Sequence, residues 1–81
     1  MGEIKVLLFG AAADRAGIRE TRVAAGEMTL DELWPLLVER YPDLSPMRDT
    51  LAFAVNGEYA RGEDLVASGD EVAVLPPVSG G

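Results

Sequence analysis

From Ile4 to Phe9 the chain is apolar except at Lys5, and a run this short that ends at Gly10 reads as a buried strand. Ile4, Val6 and Leu8 share one of its faces, and Leu7 and Phe9 share the other. Ala11 to Ala16 has the length of one or two helical turns. Beyond Gly17 the alternation from Ile18 to Val23 predicts a second strand.

Thr29-Leu30-Asp31-Glu32 has the Thr-x-x-Glu spacing of a capping box, in which each side chain satisfies a backbone donor at a helix start. Met28 is placed to staple onto Leu33. Leu30, Leu33, Trp34, Leu37, Val38 and Tyr41 recur at three- and four-residue spacings, so one helical face packs on a sheet with Trp34 in the core. Pro35 breaks this pattern, because proline inside a helix forfeits a hydrogen bond and clashes with the turn before it, at about 3 kcal/mol. A kink or a late helix start is therefore expected.

Pro42 and Pro46 bracket an expected loop, after which Leu51, Phe53 and Val55 alternate with alanines up to Asn56-Gly57, a two-residue hairpin signal. A short strand around Glu58 to Ala60 and another from Glu71 to Leu75 follow, separated by the Glu63-Asp64 and Ser68-Gly69-Asp70 turns. The order is strand, short helix, strand, long helix and three strands, an α+β domain whose one main helix covers one face of the sheet. Placing Val6, Phe53 and Val74 on the covered face leaves Leu7, Phe9, Ala52, Ala54, Ala73 and Leu75 on the open one. A face that apolar reads as an interaction surface.

Eighty-one residues make one domain with a small core and no volume for a deep substrate cavity. Fourteen acidic residues against seven basic ones give a net charge of −7, which repels phosphate backbones and anionic lipid heads and argues against nucleic-acid or membrane partners. With neither cysteine nor histidine, the chain lacks disulfides, thiol nucleophiles, soft metal sites and the usual general base near neutral pH. No metal site is expected. Apolar runs are too short to cross a bilayer, and a cytoplasmic address is the default expectation.

The ending Leu75-Pro76-Pro77-Val78-Ser79-Gly80-Gly81 carries the candidate chemistry. Two prolines stop the strand and hold the chain near polyproline II, so residues 1–75 form the domain and residues 76–81 an arm of up to roughly 20 Å. Two terminal glycines lack Cβ atoms, which suits a passage too narrow for other residues and leaves the Gly81 carboxylate approachable from all sides. An ionised carboxylate must be activated before attack, for which ATP-derived acyl adenylate is the usual means. No phosphate loop is present and Lys5 sits in a strand, so a separate enzyme has to bind the ATP. Sulfide delivered to the adenylate leaves a thiocarboxylate on Gly81, a sulfur nucleophile at the end of an arm.

Ile4-Lys5-Val6-Leu7, Asn56-Gly57, Gly69-Asp70-Glu71-Val72-Ala73 and above all Pro76-Pro77-Val78-Ser79-Gly80-Gly81 resemble the small, sulfur-carrying subunits of molybdopterin synthases, in the MoaD/ThiS group of ubiquitin-like proteins. The resemblance implies a β-grasp fold with a mixed sheet. It implies adenylation of Gly81 by a ubiquitin-activating-like adenylyltransferase that uses ATP, with no cofactor bound to the chain itself, and sulfur from a donor protein. It further implies a non-catalytic, sulfur-donating role: the arm enters the larger subunit of molybdopterin synthase, where sulfur passes to cyclic pyranopterin monophosphate. Gly81 is then the reacting position, Gly80 gives clearance, Pro76, Pro77, Val78 and Ser79 form the inserted arm, and Phe9 and Leu75 match apolar docking positions. Carriers for thiazole, cysteine or transfer-RNA thiolation share this activation, and a ubiquitin-like modifier would join Gly81 to lysines instead. Pro35 departs from the family pattern.

Overall fold

The computed structural model describes residues 2–76. Its first strand, β1 (Glu3–Leu8), buries Ile4, Val6 and Leu8 and leaves Leu7 half-buried on the opposite side, as the period of two requires. Phe9 is not the last strand residue but the N-cap of α1 (Gly10–Ala16), with an extended backbone. Gly10, at φ +57°, makes the corner between strand and helix, and Gly17, at φ +74°, closes the helix through its N–H to the Ala13 carbonyl. The second strand, β2 (Glu20–Ala24), begins two residues later than the alternation from Ile18 suggests.

Two short strands, β3 (Met28–Thr29) and β6 (Leu65–Val66), pair with each other as a separate ladder. From β3 the chain enters α2 (Leu30–Arg40), whose capping box is complete: Thr29 Oγ1 accepts the Glu32 N–H at 3.2 Å and Glu32 Oε1 accepts the Thr29 N–H at 2.9 Å. The helix does not start late, and it runs unbroken through Pro35. The carbonyl that Pro35 leaves without its helical donor belongs to Asp31, an exposed residue in the first turn, and the box fixes the start upstream. Leu30, Leu33, Trp34 and Leu37 are buried and Val38 and Tyr41 half-buried, on the face predicted from their spacing. Met28 packs against the same cluster.

The segment expected as a loop between Pro42 and Pro46 is a 3-10 helix, Pro42–Thr50, which buries Leu44 and Met47. Proline at its first position lacks a donor that the helix start does not use. Arg48 from this segment lies 5.0 Å from the Phe53 ring centroid and 2.8 Å from Asp31 Oδ1, while Phe53 meets Trp34 edge-on at 5.9 Å. The segment thereby closes the core beside α2.

The main sheet has the order β2-β1-β7-β4-β5, with β4 (Ala52–Val55), β5 (Glu58–Ala60) and β7 (Glu71–Leu75). The Asn56-Gly57 hairpin joins β4 to β5, and β7 runs between β1, to which it is parallel, and β4, to which it is antiparallel. Helix α2 covers one face, where Val6, Phe53, Val72 and Val74 are buried. Among the described residues no helix lies over the other face. This is the β-grasp arrangement, with the last strand at the centre of the sheet. No helix among the described residues is long and apolar enough to cross a membrane.

Candidate functional site

Because β7 is the central strand, its two neighbours fix where the chain leaves the sheet. Ala52 pairs with Leu75 on one side, and the Phe9 N–H donates to the Val74 carbonyl at 3.1 Å on the other. Pro76 then passes Gly10, where an added Cβ would stand 3.4 Å from Pro76 Cγ. Gly10 therefore serves twice, through its positive φ and through this close approach.

The entry end of β7 is held by a polar clamp. Asn56, in the left-handed region at φ +52°, donates through Nδ2 to Asp70 Oδ1 at 3.1 Å and accepts the Glu71 N–H at 3.0 Å. Asp70 Oδ2 also accepts the Ala67 N–H at 2.9 Å. The Ala67 backbone donor, then the Asn56 amide, hold the Asp70 carboxyl below its ordinary range by stabilising the charged form against slight desolvation. Strand β7 is thus registered at its start and delivers the chain at its end.

The open sheet face divides along the same axis. Toward the entry end, Arg22 lies between Glu3 and Glu20, and Lys5 between Glu20 at 4.0 Å and Glu71 at 3.7 Å. These pairs are substantially exposed and worth little in stability, but they make this end polar. Toward the exit end the face turns apolar, with Leu7, Ala52, Ala73 and Leu75 half-buried and Phe9 44 % exposed. Ala54 lies on this face as expected, but flanked by Tyr59 on β5 and Ala73 on β7 it is buried at the floor of the face.

A shallow groove of about 320 Å³ runs over the alanines, with Leu7, Phe9 and Leu75 toward one side and Tyr59 toward the other. Tyr59, 72 % exposed, is the member of this face that the sequence reading missed. The signal was present, since a two-residue Asn-Gly turn pairs Val55 with Glu58 and therefore Ala54 with Tyr59. Of the predicted site residues, the structure brings Phe9, Leu75 and Pro76 together at the exit of β7. Pro77, Val78, Ser79, Gly80 and Gly81 lie outside the described residues. Chemically, the described residues offer an apolar, shallowly grooved surface beside the point where the chain leaves the sheet.

Comparison with known proteins agrees with this geometry. The model of the ThiS family matches residues 6–81. The molybdopterin synthase sulfur carrier subunit of Homo sapiens is 39 % identical over 83 residues, covering 98 % of this chain and 94 % of that protein. Its namesake in Chlamydomonas reinhardtii is 38 % identical over 82 residues, covering 98 % and 99 %. Among solved structures, SAMP1 from Haloferax volcanii superposes with a TM-score of 0.85 at 35 % identity, over 99 % of this chain and all of that one. A chain from the complex of subunits 1 and 2 of the molybdopterin-converting factor of Helicobacter pylori shares the fold, with a TM-score of 0.70 at 24 % identity, over 98 % and 99 %. With a family model that spans nearly its whole length and relatives this similar from end to end, the chain belongs to the ThiS family.

Proposed function

We propose that this protein is the sulfur carrier of a molybdopterin synthase and that Gly81 is the group that carries the sulfur. What supports the reading most is the end-to-end similarity to molybdopterin synthase sulfur carrier subunits, in a chain whose central strand leads into Pro-Pro-Val-Ser-Gly-Gly. The Gly81 carboxylate attacks the α-phosphate of ATP on a separate activating enzyme, displacing pyrophosphate and forming the acyl adenylate. Hydrosulfide delivered by a donor protein then attacks the carbonyl carbon, AMP leaves with the C–O electron pair and the proton passes to solvent. The thiocarboxylate sulfur attacks a carbon of cyclic pyranopterin monophosphate within the larger subunit, and water then cleaves the resulting thioester, leaving the sulfur on the pterin and returning the chain as a carboxylate.

The arm alone does not hold the larger subunit. Ordering six residues costs roughly 6 to 12 kcal/mol, less whatever the prolines have already restricted, whereas burying Val78 returns only about 1.5 to 3. The apolar end of the open face supplies the rest, with Phe9, Tyr59 and Leu75 as anchors. The test is a single-turnover assay with thiocarboxylated protein, the larger subunit and cyclic pyranopterin monophosphate. Molybdopterin should form as the protein returns to the free acid. Intact thiocarboxylate and no product would assign the sulfur to another acceptor.

A second reading is favoured by the likeness to SAMP1 of H. volcanii, a small archaeal modifier protein. Here the adenylated Gly81 is joined to lysines of other proteins. Isopeptide-linked Gly-Gly remnants on cellular proteins, lost when Gly81 is deleted, would establish it.

A further inference from the structure

A sheet edge is a row of backbone donors and acceptors that a second strand can join, and the main sheet ends in β2 on one side and β5 on the other. Strand β5 has three residues, after which the Arg61 N–H turns to Asp64 Oδ2 at 2.8 Å. Strand β2 is the longer edge, with five residues. Its pairing with β1 fixes which groups it leaves outward. The Leu8 N–H donates to the Arg19 carbonyl at 2.8 Å, so the hydrogen-bonded pairs continue as Val6 with Thr21 and Ile4 with Val23. The N–H and C=O groups of Glu20, Arg22 and Ala24 therefore point away from β1.

The central carbonyl of this row is already taken. Arg40, exposed in the last turn of α2, reaches the edge from the helix side: its Nη1 donates to the Arg22 carbonyl at 2.5 Å and to Thr21 Oγ1 at 3.4 Å. Tyr41 ties the same helix end to the same threonine, its hydroxyl donating to Thr21 Oγ1 at 3.1 Å.

A strand that joins β2 along its whole length has to use the Arg22 carbonyl, the middle one of the three. Two copies of this chain meeting edge to edge about a two-fold axis at Arg22 would exchange the N–H and C=O of one Arg22 with those of the other, and set Glu20 opposite Ala24. The same axis brings the two Arg40 guanidinium groups together at the seam, where like charges repel. The Arg22 side chains would face each other as well, but Glu3 at 3.9 Å and Glu20 at 3.4 Å offset that charge. The bonds of Arg40 go to neutral oxygens, so among the described residues its charge is not offset.

We infer that Arg40 guards the β2 edge against a second copy of this chain, by holding the one carbonyl that full-length pairing needs and by placing a positive charge at the seam. The guard keeps the protein single where a bare five-residue edge would template one sheet continuous through two copies.

The test compares the association of full-length wild type with that of two Arg40 variants. Arg40→Met keeps an apolar stem and removes the charge and the donors. Arg40→Gln adds no apolar surface, and its amide nitrogen ends two bonds short of the guanidinium nitrogen. Tyr41→Phe is the control, because it removes the other bond to Thr21 and leaves the Arg22 carbonyl covered. Each protein is followed by sedimentation velocity over a range of concentrations, with circular dichroism to confirm folding. Losing a cation from the helix end lowers the melting temperature in both Arg40 variants, so association and not stability is the readout. Wild type and Tyr41→Phe should remain monomeric. Both Arg40 variants should dimerise at least about tenfold more tightly than wild type, from regained backbone hydrogen bonds and relief of the like charges. Amide hydrogen exchange should show new protection at Glu20, Arg22 and Ala24 in the dimer. Arg40 variants that stay monomeric, wild type or Tyr41→Phe associating as tightly as they do, or protection that falls outside β2 would each overturn the inference.

Discussion

Phe9 and Tyr59 lie on the same face but divide their surface differently, and that difference sets opposite rankings for stability and docking. Complete burial of a large apolar side chain stabilises by roughly 1.5 to 3 kcal/mol. Phe9 is 44 % exposed, so docking has about 0.7 to 1.3 kcal/mol left to gain from it, while its buried part already contributes about 0.8 to 1.7 to folding. Tyr59 is 72 % exposed, which leaves about 1.1 to 2.2 kcal/mol for docking and only about 0.4 to 0.8 for folding. Tyr59→Ala should therefore weaken binding to the larger subunit roughly six- to fortyfold with a small change in stability. Phe9→Ala should weaken it less and lower the melting temperature more, by roughly 4 to 8 °C per kcal/mol in a domain of this size. Calorimetric titration and thermal unfolding of the two variants give both rankings. A larger binding loss for Phe9→Ala, or a larger stability loss for Tyr59→Ala, would mean that the partner covers a different part of the sheet.

Gly80→Val should leave thermal unfolding unchanged and abolish sulfur transfer, because a branched Cβ crowds a passage shaped around bare backbone; undiminished transfer would refute the narrow passage. Leu75→Glu should weaken docking by more than about 1 kcal/mol, measured by titration, with the fold preserved in circular dichroism because Leu75 is only half-buried. Asn56→Ala should destabilise by about 2 kcal/mol in urea, from the lost bond to the Glu71 N–H and left-handed strain at φ +52°, whereas Asn56→Gly removes the strain and should cost less. Since the folded state lowers the Asp70 carboxyl, its contribution is present above the ordinary carboxylate range near pH 4 and is lost as pH falls through the lower folded value; Asp70→Asn should flatten that part of the stability profile, measured by urea unfolding between pH 2 and 6.

Where one physical period governs a segment, the sequence was legible. Alternation placed Val6, Phe53 and Val74 under the helix and Leu7, Phe9 and Leu75 on the open side, and the capping box located the start of α2 despite Pro35. The two-residue strands β3 and β6 are too short for any period to register, and their pairing is a contact across more than thirty residues of chain. In Pro42–Thr50 the prolines read as loop punctuation, although the segment buries Leu44 and Met47 through a 3-10 repeat. The Asn56–Asp70 clamp and the Arg48 bond to Asp31 join residues fourteen and seventeen apart, so only the folded chain brings them together. Tyr59 stood within reach of the hairpin register, but a strand of three residues offered no alternation of its own.

The central claim is that the Gly81 carboxylate accepts the sulfur, and its most direct test is intact mass spectrometry after incubation with an activating enzyme, ATP and a sulfur donor. The full-length protein should gain the mass of one sulfur-for-oxygen exchange, placed by fragmentation on Gly81, and the protein lacking Gly81 should remain unchanged. Sulfur found on the truncated chain, or at any position other than the terminus, would contradict the account.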